Sequence, residues 1–68
     1  MNADLLKGKI RENAMTQETV AKSIGISLSR FNAKLNGTDG AEFSLGEAKA
    51  LIDLFGLRPE QIDQIFFT

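Results

Sequence analysis

Cysteine and histidine are both absent from the 68 residues. Without cysteine, no disulfide can staple a small fold and no thiolate can hold a metal ion. Without histidine, the side chain most often used for proton transfer near neutral pH is missing. No glycine-rich phosphate loop occurs. The acids are scattered, with Glu42 and Glu47 fitting a loop and a helix cap rather than a paired catalytic site. These absences argue against an enzyme, and neither a cofactor nor a metal site is expected. Long apolar runs are also missing; none approaches the roughly 18 residues that a membrane span needs. The opening Met1-Asn2-Ala3-Asp4 lacks the basic segment of a secretory leader. A reducing, cytoplasmic setting is the expectation that fits.

A chain of this size buries only about 60% of its unfolded surface, so compact helix packing must supply its stability. The net charge of −1 is small but unevenly divided. Residues 1–36 carry Lys7, Lys9, Arg11, Lys22, Arg30 and Lys34 against Asp4, Glu12 and Glu18. The second half carries only Lys49 and Arg58 against six acids. One half is therefore basic and the other acidic, which suits a molecule that turns one side toward phosphates.

The basic half also holds the most informative segment, Thr16 to Gly37. Thr16 and Ser27 are both good helix N-caps. Each follows an apolar residue, Met15 or Ile26, and precedes another by four positions, Val20 or Phe31. That is the register of a hydrophobic staple, repeated after eleven residues. Gly25 lies between the two, where a left-handed backbone costs glycine little. Two short helices joined by one tight turn follow, over Gln17 to Ile24 and Leu28 to Asn36. Val20, Ala21 and Ile24 of the first, and Phe31 and Leu35 of the second, form the inward set.

Three more helices complete the pattern. One spans Ala3 to Asn13, with Leu6 and Ile10 on one face at i, i+4. After a loop at Gly37-Thr38-Asp39-Gly40, Ser44 and Glu47 form a capping box. The helix that follows carries Ala48, Leu51, Ile52 and Phe55 on one stripe and stops at Gly56. Pro59 starts the last helix, which turns Ile62, Ile65 and Phe66 inward, and Leu57 staples to Ile62. No repeat, linker or strand pattern is present.

Thr16-Gln17-Glu18, the Ala21–Gly25 pair, Ile26-Ser27 and Asn36-Gly37 together resemble the Cro/repressor type of helix-turn-helix family, especially small phage-encoded regulators. The resemblance covers about Leu5 to Phe67. It implies an all-α, compact five-helix, lambda-repressor-like DNA-binding domain over residues 1–68, with the motif at 16–37. Ala14 stands where the family usually has glycine, so Asn13 is expected to take the left-handed conformation. Phe31 is larger than the aliphatic residue typical of its position, so its neighbours must leave room.

With Phe31 and Leu35 buried, helical geometry points Leu28, Ser29, Asn32 and Ala33 outward, with Ser27 at the entry. In the resembled family these positions commonly read bases. The Asn32 carboxamide suits the N6 and N7 edge of adenine, whereas Leu28 and Ala33 offer apolar contact such as a thymine methyl. The resemblance also implies backbone phosphate contacts from Gln17 and Asn36. Arg30 and Lys34 are further phosphate candidates from the charge pattern, with Thr38 beside them. Asn36-Gly37 also reads as a helix C-cap. Ordinary solvated helix positions are the competing account of Ser29 and Asn32.

A domain contacting four or five base pairs discriminates poorly across a genome, so a homodimer on a palindromic double-stranded operator is expected. Ile65, Phe66 and Phe67 near the C-terminal end are the expected dimer contact. The rival reading is a protein-interaction module on a helix-turn-helix core, such as an antirepressor or toxin-regulating partner. Low net charge and the apolar Leu28 and Ala33 favour it; the basic first half, Gln17 and Asn32 favour DNA.

Overall fold

A computed structural model describes residues 1–67. All of the regular structure among them is helical. Helix α1 covers Ala3–Glu12, α2 Gln17–Ser23, α3 Leu28–Asn36, α4 Leu45–Phe55 and α5 Pro59–Phe66, and a single 3₁₀ turn at Thr38–Gly40 follows α3. The domain is therefore all-α with five helices. Helices α1 and α2 each stop one residue before the apolar pattern predicts, because Asn13 and Ile24 serve as C-caps.

Every helix start has a chemical reason. The side chains of Asn2, Thr16, Ser27 and Ser44 each accept a first-turn N–H, of Leu5, Thr19, Arg30 and Glu47 respectively. Thr16 also joins a reciprocal box, its own N–H donating to the Thr19 hydroxyl at 3.0 Å. Threonine at the third helical position does there what glutamate usually does. Pro59 opens α5, as its fixed φ favours.

The helices close around one apolar cluster. Leu6 and Ile10 come from α1, Val20 and Ala21 from α2, Phe31 and Leu35 from α3, Leu51 from α4 and Ile65 from α5, with Leu57 between the last two. No polar side chain is buried among the described residues. Phe31, fully enclosed, meets Phe43 with ring centroids 5.5 Å apart and a 57° tilt. The room that the large ring needs is thus filled by a second ring in a favourable geometry. The chain's start is tied to its end, the Asn2 N–H donating to the Ile65 carbonyl at 2.6 Å.

Two of the turns share one hydrogen-bond scheme. After α2, Gly25 (φ 81°) reverses the chain while Ile26 donates to Ala21 and Gly25 to Lys22. After α1, Met15 donates to Ile10 and Ala14 to Arg11 in the same way. Here the residue in the left-handed region is Ala14 (φ 54°), and not Asn13 as expected from sequence. Asn13 remains at φ −92° because its carboxamide donates to the Lys9 carbonyl at 2.8 Å, capping α1 from a near-helical conformation. The reversal falls on the next residue, whose Cβ makes it unfavourable by about 1–2 kcal/mol.

Ala14→Gly is therefore expected to stabilise the fold by about 0.5–1 kcal/mol, net of glycine's extra unfolded-state entropy. A urea or thermal melt reads this directly. An unchanged or lower midpoint would refute the strain assigned to Ala14.

Candidate nucleic-acid interface

Helix α3 is the element whose outer side is free. Phe31 and Leu35 turn inward, α2 packs along the helix, and the 3₁₀ turn packs against its end. Leu28 (39% exposed), Ser29 and Arg30 stand in solvent, while Asn32 and Ala33 are half-buried. Neither the Ser29 hydroxyl nor the Asn32 carboxamide is engaged in a hydrogen bond among the described residues, so both retain their full donor and acceptor capacity. The Ser27 hydroxyl accepts the Arg30 N–H at 3.2 Å, leaving its proton and one lone pair for an outside partner. The five residues expected to read bases thus share the entry and first turns of one helix, although they differ in exposure.

The phosphate set divides. Gln17 is half-buried at the start of α2, and Arg30 is exposed and unpaired among the described residues. Asn36 and Thr38 are exposed around the α3 terminus, where Gly37 (φ 67°) caps the helix by donating to Ala33. Lys34 is a correction to the sequence reading. Its ammonium donates to both carboxylate oxygens of Glu47, at 2.6 and 2.7 Å, with the two side chains only 15% and 16% exposed. A lysine held this way is committed inside the molecule. It cannot also neutralise phosphate without giving up a desolvated ion pair.

Glu47 has two tasks at once. One of its carboxylate oxygens also accepts the Ser44 N–H at 2.8 Å, closing the capping box of α4. The Lys34 hydrogen bond, seconded by the Ser44 N–H, holds the Glu47 carboxyl below its ordinary pKa of 4.5; desolvation opposes this and is outweighed. The same side chain that starts α4 thereby fixes the last turn of α3. Sequence alone concealed this link, since the partners lie 13 residues apart and on different helices.

At the other end of the molecule, Ile65 is only 2% exposed and belongs to the core, so it is withdrawn from the expected dimer contact. Phe66 is half-buried and Phe67 is 75% exposed. Between α4 and α5 runs a mainly apolar groove of about 250 Å³, lined by Ala48, Lys49, Ile52, Ile62 and Phe66 together with Leu45 and Phe67. Leu45, at the first position of α4 and outside the apolar stripe read for that helix, is 91% exposed.

Comparison of the chain with protein-family models, curated proteins and solved structures finds no match. No cluster of three or more metal-ligating side chains occurs among the described residues, and no described helix is long and apolar enough to cross a membrane.

Because Glu47 is held below its ordinary pKa, its contribution to stability is present above about pH 4.5 and is lost as pH falls through the lower folded-state value. Glu47→Gln is expected to destabilise the fold by about 1–2 kcal/mol at neutral pH, since it keeps a cap acceptor but loses the charge. That difference should shrink below pH 4.5 as the native carboxylate is protonated. Denaturant melts from pH 7 to pH 3 measure it, and a difference that stays constant over the range would refute the pairing.

Proposed function

We propose that the chain is a sequence-specific DNA-binding transcriptional regulator of the Cro/repressor kind, which occupies an operator as a pair of copies. The observation that carries this reading is the outer side of α3, where the Ser29 hydroxyl, the Arg30 guanidinium and the Asn32 carboxamide have no partner among the described residues. A helix presenting hydroxyl, guanidinium and carboxamide groups suits the major groove, in which base edges offer matching donors and acceptors. Asn32 reads an adenine edge, Ser29 and Ser27 add shorter hydrogen bonds, and Leu28 and Ala33 pack on thymine methyls. Gln17, Arg30, Asn36 and Thr38 hold the backbone. Binding alone is enough to block transcription, and the reading needs no bond-making chemistry, cofactor or metal.

Two copies answer the specificity problem that a four- or five-base-pair contact leaves. A two-fold pair requires one patch that is complementary to itself. The α4–α5 groove supports that arrangement because it combines a mainly apolar socket, with Lys49 its one charged lining residue, and two protruding side chains, Leu45 and Phe67. The dimer contact proposed is therefore Phe66 and Phe67 with Leu45, and no longer Ile65.

Selection from a random duplex pool tests the reading. The expected product is a palindrome whose half-sites are centred about 34 Å apart. Asn32→Ala should bind with a loss of about 1–3 kcal/mol and relaxed preference at one base pair per half-site. Phe67→Ser should select single half-sites instead. A pool that never converges on any sequence would overturn the DNA reading in favour of a protein-binding role.

A further inference from the structure

A second group of polar side chains gathers where α1 meets the start of α2. Lys7 and Arg11 of α1 and Gln17 of α2 border a depression of about 210 Å³ floored by Ile10 and Met15. Residues four apart on a helix share a face, so Lys7 and Arg11 project together. Lys9, between them in sequence, faces elsewhere: it borders a different depression with Gln61 and Gln64 of α5, and it pairs with Glu12 at 3.5 Å. Lys7 and Arg11 make no ion pair or hydrogen bond among the described residues. Like charges at this spacing repel across a helix, and no carboxylate among the described residues is ion-paired to either cation. The apolar floor lets the lysine stem lie flat while its ammonium stays at the rim. Two unpaired cations and a carboxamide around a shallow basin suit the oxygens of one or two phosphodiesters.

We propose that Lys7 and Arg11, with Gln17, form a clamp for the DNA backbone, so that α1 anchors the duplex that α3 reads. This assignment rests on the DNA reading given above. It adds two residues for which neither the helix-turn-helix pattern nor the family resemblance supplied a role. The clamp contributes affinity without sequence preference, because phosphates are alike at every base pair.

The test is duplex binding by fluorescence anisotropy across a series of salt concentrations. Each phosphate neutralised contributes about −0.9 to the slope of log K against log salt. Replacing both cations, as Lys7→Gln with Arg11→Gln, should therefore make the slope shallower by about 1.8 per copy while the selected sequence is unchanged. Lys9→Gln should leave the slope where it was, and Lys7→Arg with Arg11→Lys should restore it. Circular dichroism confirms that each variant is helical. An unchanged slope in the double variant overturns the clamp while leaving the DNA reading standing. Absence of duplex binding by the unaltered chain overturns both. Saturable binding of inorganic phosphate alone at millimolar concentration would assign the basin to a free anion and also overturn the clamp.

Discussion

The rotation of α3 about its own axis is the constraint on which the rest depends, and Phe31 sets it. This ring is fully enclosed and tilted against Phe43, with Leu35 buried one turn further on. Truncating such a ring in a core costs about 3–5 kcal/mol, a large share of what a domain of this size has in total. The helix therefore cannot roll to hide Ser29 and Arg30 without exposing the ring. Lys34 and Glu47 add a polar tether at the far end of α3, tying its last turn to the first turn of α4. An apolar anchor and a charged one, on the same helix, together leave its opposite flank unoccupied.

Much of this was legible in the sequence because it is local. The repeated spacing from Met15 to Val20 and from Ile26 to Phe31, with Gly25 between, locates two helices and their turn without any long-range information. Ser44 with Glu47, Gly56 and Pro59 mark the ends of α4 and the start of α5 for similarly local reasons. What escaped was tertiary or conditional. Asn13 is the better left-handed residue by type, yet its carboxamide finds the Lys9 carbonyl and Ala14 takes the strain. Lys34 reads as a free surface cation until α4 brings Glu47 beside it. Ile65, read both as an inward residue of the last helix and as a dimer contact, is taken wholly by the core, while Phe67 stands in solvent. The candidate base-reading residues followed from helical periodicity, whereas the meeting of Lys7 and Arg11 with Gln17 required the packing of α1 beside α2.

Electrostatics fit the same division of labour. A net charge of −1 hides a basic first half, and ion pairing takes some of its cations out of play. Lys9 is matched by Glu12, Lys34 by Glu47 and Arg58 by Glu60, so Lys7, Arg11, Lys22 and Arg30 are the unpaired cations of the first half among the described residues. A few free positive charges on a nearly neutral protein give weak, salt-sensitive attraction to any duplex. Under the proposed DNA reading, discrimination comes from α3 and from the use of two copies. The apolar groove beside α5, on the acidic half of the chain, is the contact proposed for the second of these.

Amide chemical shifts measured while a selected duplex is titrated into the protein test the central claim most directly. The account predicts that the largest changes fall on Ser27, Ser29, Arg30 and Asn32 together with Gln17, leaving Leu51 and its neighbours in α4 nearly still. Changes confined to the groove beside α5, or spread evenly at low amplitude over the whole chain, would contradict it.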